Sequence, residues 1–405
     1  MGVPFYQGSH EAALELCRKV KSGNPGIIIA GGGPLMTARY DALLGTGAVD
    51  LGVVGEGELP IYEIASASRN GRVNRDNVTS SDAIAFPGES GPIFNENRRH
   101  VENLDELPFI DYSLIDMAPY FKMQDELEVP RSVFMTTSRG CAYKCTFCAS
   151  PNLWPGRVRR YSPARVLAEM EFHARNFGKI NIGFLDDSFF ADKKWLAEFF
   201  AGAAKTETTY SCIGRADHIG PEEAELLGAT GCRFVSMGVE SGSARMQKLI
   251  RKKLDLSKVR GAVSRLSSKG IYCRCFFMAG FPDETVEEMA ETINLAVDLK
   301  KAGMTDCTFF IANLYAGTEL SSNYDSGLWR SKIYRGGERE TGGGFSDEKM
   351  LRYSSVPDAD LNPFLDRSQL VALVKTAYSR INRLEYITAS EILKLTETAR
   401  GGGAR

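Results

Sequence analysis

The sequence predicts an α/β protein: an open, partial (β/α)6 barrel preceded by a smaller, partial α/β domain. Two observations carry this. Between residues 131 and 314, six short apolar stretches alternate with stretches of helical period. Ahead of them, two strand-to-helix units each end their strand in glycines, in GIIIAGGGP and VDLGVVGEGELP. Strands that alternate with helices pair in parallel and are covered on both faces, so they read as continuous apolar runs. The crossovers are expected to be right-handed. Six such units can curl into a shortened relative of the eight-unit barrel.

The elements follow in order. Residues 11–22 (EAALELCRKVKS) read as an amphipathic helix. GIIIA is a buried strand, TARYDALLGTG a helix, VDLGVV a second strand and IYEIASAS a second helix. A doubly wound domain normally carries about five strands, so this one reads as cut short at its start. Residues 68–130 are irregular, with a short strand or hairpin and a connecting segment. The barrel strands are SVFMTTS (132–138), INIGFLDD (180–187), TTYSCIGR (208–215), RFVSMGVE (233–240), IYCRCFFMAG (271–280) and DCTFFIANL (306–314). Ser162 followed by Pro163 marks a helix start, as cap and first-turn residue. The glycine-rich stretch between 320 and 360 reads as a loop or lid, and RGGGAR at the end as disordered. Three segments result: 1–115, a partial domain with its linker; 116–320, the barrel; and 321–405, a loop with a helical tail.

Composition bounds the function. The net charge of -2 gives no broad basic field for nucleic acid or a membrane surface. No apolar run approaches the ~18 residues that span a bilayer. The N-terminus shows no secretory signal, and Tyr6 speaks against a myristoylation start. Six of the nine cysteines, Cys17, Cys212, Cys232, Cys273, Cys275 and Cys307, are scattered through apolar stretches and read as small buried hydrophobes. No disulfide framework is visible, which fits a reducing, cytoplasmic compartment.

The other three cysteines stand together in SRGCAYKCTFC, as Cys141, Cys145 and Cys148. The loop follows the first barrel strand, and ligands of parallel barrels bind where such loops gather. Three close thiolates can share one metal centre. A structural zinc site wants four ligands, and no fourth Cys or His lies near; His173 sits on a helix. A redox pair, Cys145 with Cys148, is another reading. A cubane iron–sulfur cluster explains the missing fourth ligand, because three thiolates leave one iron open.

CAYKCTFC, with an aromatic residue before its third cysteine and six βα units downstream, resembles the radical SAM superfamily. The resemblance implies a [4Fe-4S] cluster on Cys141, Cys145 and Cys148, whose open iron chelates S-adenosylmethionine (SAM). Reductive cleavage of SAM would then yield a 5′-deoxyadenosyl radical that abstracts a substrate hydrogen. The cofactor pair carries the difficult chemistry; the protein positions it and excludes water. The strand ends supply further candidates. Asp187, in FLDDSFF, could accept from the SAM ammonium group, the alternative for Asp186-Asp187 being a helix cap. Arg215, in CIGRAD, suits a carboxylate. Glu240, in MGVESGS, could hold ribose hydroxyls. Gly280, in AGFPDET, shapes a turn for the adenine through its backbone, and Phe147 is placed to lie against that ring. Tyr315 is a candidate to face the substrate.

The N-terminal pieces, IIIAGGGPLMT and VDLGVVGEGELPIYEI followed by ENLDELPFID, are similar to the second half of a Rossmann-like, cobalamin-binding-type domain. The D-x-H-x-x-G motif whose His can ligate cobalt is absent, and His10 reads as a surface or capping residue. Cobalamin therefore stays open, with tight binding not expected. The glycine-rich loops at 31–33 and 55–57 could let a cofactor tail approach the backbone. The expected activity is modification of a small molecule or natural-product intermediate: C-methylation with cobalamin, or dehydration, rearrangement or cyclisation without it. A flavodoxin- or ferredoxin-type protein would supply the electron. The alternatives are a non-catalytic iron–sulfur or zinc protein, an RNA-modifying enzyme, and an inactive relative. The lack of a basic patch and of an RNA-binding tail speaks against RNA.

Overall fold

The computed structural model describes residues 1–69, 83–94, 100–156, 158–325 and 361–401. The segment expected as a loop or lid falls largely at 326–360, and the last four residues at 402–405, both outside the described residues. The chain divides into two compact units. The first comprises Met1–Glu102, Cys145–Pro155 and Asn313–Leu361; the second comprises Asn103–Lys144, Gly156–Ala312 and Asn362–Arg405.

The first unit is built on a five-stranded sheet in the order β1-β2-β3-β4-β5. Its strands are β1 (Gly2–Pro4), β2 (Ala30–Gly32), β3 (Leu51–Val53), β4 (Ile84–Phe86) and β5 (Ile93–Phe94), with helices α1 (His10–Gly23), α2 (Gly33–Gly45) and α3 (Glu58–Arg69) between them. The first three strands are parallel and the last two are added antiparallel, as the expected hairpin. β1 was not expected: three residues before a turn give no periodicity, and only the pairing with β2 reveals them. Phe5, Ile29, Met36, Leu43 and Val54 form the core. His10 is not the surface residue its polarity suggests. It opens α1 and is buried.

The second unit carries six strands in the order β13-β12-β11-β10-β9-β6, every neighbour parallel. They are β6 (Ser132–Met135), β9 (Asn181–Phe184), β10 (Thr209–Gly214), β11 (Cys232–Glu240), β12 (Tyr272–Ala279) and β13 (Asp306–Ile311); a small antiparallel pair, β7 (Ser138–Arg139) and β8 (Arg159–Arg160), flanks the first. Strand order follows chain order, as six successive βα units require. The helices are α4 (Ala118–Glu126), α5 (Pro163–Phe177), α6 (Lys193–Ala203), α7 (Pro221–Ala229), α8 (Ala244–Leu249), α9 (Leu256–Ser268), α10 (Val286–Lys301), α11 (Arg367–Arg383) and α12 (Ala389–Gly401). Their starts are chemically marked. Ser162 Oγ accepts from the Arg165 N–H at 3.2 Å ahead of α5, and Thr285 and Glu288 form a reciprocal capping box on α10. The core is aromatic-rich around Phe184, Phe189, Phe199 and Tyr210. No described helix is long and apolar enough to cross a membrane.

α10 runs close beneath the end of β11. A Cβ on Gly242 would stand 2.6 Å from the Glu291 carbonyl oxygen and 2.9 Å from the Thr292 Cα, both backbone atoms with no room to give. Gly242→Ala is therefore expected to destabilise the unit by about 1–3 kcal/mol, as overpacking does. Gly261→Ala meets only the far end of Arg265 and is expected to stay within about 0.5 kcal/mol of the wild type. Urea unfolding followed by circular dichroism compares the two.

Candidate active site

The loop after β7 carries the three clustered cysteines. None of the nine cysteines is in a disulfide, but the six scattered ones are buried whereas Cys141, Cys145 and Cys148 are half-buried. Two of the three sulfurs already accept backbone N–H groups, Cys141 from Tyr143 and Cys148 from Ser150 at 3.4 Å. Burial pushes the Cys141 thiol up, and the Tyr143 N–H, Lys252 and Arg215 oppose this. Among the described residues no three His, Cys, Asp or Glu side chains are gathered closely enough to hold a metal ion as they stand. The fit to an iron–sulfur cluster rests instead on the donor set: three accessible thiols and hydrogen bonds onto their sulfurs, the contacts that tune such clusters. His173, fully buried beside Glu169 at 3.6 Å, is not placed as a fourth ligand.

The end of β9 separates its two carboxylates. Asp187 is exposed, as a group reaching for a ligand would be. Asp186 is buried, and its Oδ1 accepts from the Thr137 N–H (2.9 Å), the Thr137 hydroxyl (3.0 Å) and the Ser138 hydroxyl (2.6 Å). It thus ties the second barrel strand to the base of the cysteine loop. Burial pushes its carboxyl up; the Ser138 and Thr137 hydrogen bonds oppose this. Neither aspartate caps the next helix. That role falls to Asp192, which accepts from the Trp195 N–H at 3.0 Å.

Arg215, at the end of β10, is buried with its guanidinium engaged. It bonds Asp217 through Nε (3.0 Å) and Nη2 (2.7 Å), and the carbonyls of Lys252 (2.7 Å) and Lys253 (3.2 Å). A ligand carboxylate would have to compete with these partners. Glu240 ends β11 beyond a register shift, with φ at +66°, in the left-handed region. Such a shift re-aims a side chain at the strand end. Its carboxylate pairs with Lys252 Nζ at 3.0 Å. Sequence reasoning missed Lys252, whose role appears only once the 251–253 turn folds back onto two strand ends.

Gly280 follows β12 with φ at +88°, and a Cβ there would stand 2.6 Å from Leu370 Cδ1. The residue that shapes its turn is Glu284, also missed. Fully buried, it accepts the Gly280 N–H at 2.6 Å and the Phe281 N–H at 3.2 Å on Oε2. Burial pushes its pKa up from 4.5 to about 8. In the first unit Phe147 is half-buried and Tyr315 is about half exposed. Gly31 has a simpler reason to be glycine than cofactor approach, since a Cβ would stand 2.4 Å from Met36 Cε. Gly32 has nothing within 4 Å of its missing Cβ.

Residues 135–296 match the model of the radical SAM superfamily. The chain is 31% identical over 312 residues to an uncharacterized methyltransferase of Pyrococcus horikoshii, covering 76% of this chain and 65% of that protein. It is 27% identical to the cytidylyl-2-hydroxyethylphosphonate methyltransferase of Streptomyces wedmorensis, over 58% of this chain and 45% of the other. It thus spans less than two thirds of either relative. In fold it is similar to the radical SAM methyltransferase TsrM of Kitasatospora setae, solved with cobalamin and a [4Fe-4S] cluster: TM-score 0.70, 16% identity, 99% of this chain and 88% of that one.

Two outcomes test the strand ends. Asp186→Ala strands three buried donors and is expected to destabilise the chain by about 2–3 kcal/mol in urea unfolding, whereas Asp187→Ala stays within about 0.5 kcal/mol. The raised Glu284 pKa means that the folded state holds this proton more tightly than the unfolded chain. Its stabilising contribution is therefore complete below pH 4.5 and is lost as pH rises through about 8. Glu284→Gln is expected to flatten the fall in urea midpoint across that window.

Proposed function

We propose that this chain, whose residues 135–296 form a radical SAM domain, is a radical SAM enzyme that transfers a methyl group to a carbon of a small molecule. The observation that carries the reading is the C-x3-C-x2-C loop of half-buried cysteines that follows the first of six parallel strands. Two relatives named as methyltransferases support the reaction type.

Cys141, Cys145 and Cys148 would hold the cluster, with one iron left for SAM. When bound, cluster and SAM together supply reductive cleavage of the sulfonium and a 5′-deoxyadenosyl radical. The chain's own residues bind and orient. Asp187, exposed at the end of β9, would accept from the SAM ammonium group. Glu240, aimed by its left-handed backbone and held by Lys252, would accept ribose hydroxyls. The Gly280 turn, pinned by Glu284, would offer backbone groups to the adenine. Arg215 would meet the SAM carboxylate only in competition with Asp217 and the carbonyls of Lys252 and Lys253.

Cobalamin fits the first unit only in part. Gly32 leaves room for close approach to the backbone. The four histidines are each buried or engaged: His10 and His173 lie in the core, His100 stands beside Glu56 and His218 beside Tyr143. No step is derived through cobalamin. Cysteines held outside disulfides support a reducing cytoplasm; reductive cleavage of SAM would draw its electron from a flavodoxin- or ferredoxin-type protein.

The test is anaerobic reconstitution with iron and sulfide, then reduction with SAM, with and without methylcobalamin. Mass spectrometry follows 5′-deoxyadenosine and S-adenosylhomocysteine. The wild type is expected to release S-adenosylhomocysteine, and Cys145→Ala to fall to background. 5′-Deoxyadenosine alone, indifferent to cobalamin, would replace methyl transfer with a rearrangement or cyclisation. Neither product from a loaded sample would overturn the enzyme reading.

A further inference from the structure

Tyr143 lies between the first two cysteines, and four contacts converge on it. Its backbone N–H donates to the Cys141 sulfur. Its hydroxyl and His218 Nε2 are 2.8 Å apart. The Arg215 guanidinium carbon stands 4.0 Å from its ring centroid, a close cation–π contact. The rings of Tyr143 and His218 also lie near each other, with centroids 6.1 Å apart. A tyrosine placed only to fill space would not need a partner for each of its polar and π surfaces.

The group beneath it is fixed in turn. Arg215 is locked by both oxygens of Asp217 and by the carbonyls of Lys252 and Lys253. Arg251 and Lys253 hold left-handed backbone at φ +53° and +50°, as does Glu240 at +66°. Three of the five non-glycine residues with positive φ among the described residues therefore sit in this one patch. Each such residue holds a strained backbone that persists only where its surroundings over-determine it. The Arg215 hydrogen bonds and the Glu240–Lys252 pair are what over-determine it here.

We propose that Tyr143 is a positioning residue for the cluster: stacked on Arg215 and bonded to His218, it fixes the Cys141 sulfur and keeps a cation beside it. This rests on the radical SAM reading of the cysteine loop. An N–H donor and a nearby positive charge both favour the more negative, reduced cluster, so loosening them lowers the reduction potential. The ring contact with Arg215 dominates, because the guanidinium carries the charge and is the rigid partner.

The experiment uses the full chain, reconstituted anaerobically, as wild type, Tyr143→Phe, Tyr143→Leu and Cys145→Ala. Iron and sulfide content, the electron paramagnetic resonance spectrum of the reduced cluster with and without SAM, and the reduction potential are read. Melting of each metal-free chain controls for folding. Tyr143→Leu is expected to shift the potential to more negative values and alter the SAM-induced spectral change. Tyr143→Phe, which keeps the ring, should restore most of both. Iron loss from Tyr143→Leu with an unchanged metal-free melt would support the same role. If that melt falls, Arg215→Lys decides, since it keeps the charge but loses the planar stack: a wild-type potential there overturns the proposal. A loaded Tyr143→Leu with wild-type potential and spectrum, or Phe and Leu variants shifted alike, also overturns it. A wild type that takes up no more iron than Cys145→Ala would sink the radical SAM reading itself.

Discussion

Six parallel strands in chain order impose the constraint on which the second unit depends. Every strand runs the same way, so every strand-to-helix loop emerges at the same end. Cys141, Asp186, Asp187, Arg215, Glu240 and Gly280 lie far apart in sequence, yet each sits at or just beyond the end of a strand of this unit. Parallel pairing needs long crossovers, and the capped helices supply them. The hydrogen-bonded scaffold thus decides where the chemistry gathers before any side chain specifies what it is.

The strand ends are then joined by buried polar groups. Asp186 draws three donors from the base of the cysteine loop, Arg215 spans the ends of β10 and the 251–253 turn, and Glu284 closes the turn at Gly280. A buried carboxylate or guanidinium is unfavourable unless its hydrogen bonds are made. That condition fixes geometry, because a loop that shifted would leave a buried group without its partners. The left-handed residues at 240, 251 and 253 are held against their own preference by the same contacts. Rigidity of this kind holds the strand ends in one arrangement.

The first unit works by different means. Its sheet is small, its strands are two or three residues long, and close packing works beside a few polar ties such as Asp50 with Lys21 and the Ile29 N–H. Gly31 and Gly52 bring the sheet backbone against Met36, and Phe5 and Ile29 fill the space beside it. Short strands with a dense apolar core can persist where longer ladders are absent, because burial rather than backbone pairing supplies most of the stability.

What the sequence determined by itself is what chain-local chemistry encodes. The six barrel strands, their helices, the Ser162 cap and the C-x3-C-x2-C loop are written in periodicity, capping residues and cysteine spacing, and the parallel order follows from alternation. The burial of the six scattered cysteines was legible from their apolar surroundings. Only the tertiary structure decided which of two adjacent aspartates is buried, that Arg215 is engaged by Asp217 and two carbonyls, and that Lys252, Glu284 and Tyr143 support the strand ends. β1 and the burial of His10 belong to the same class. The physical reason is shared. Period and spacing are properties of neighbouring residues, whereas the partner of a charged group is set by segments tens of residues away, brought together only when the sheet forms.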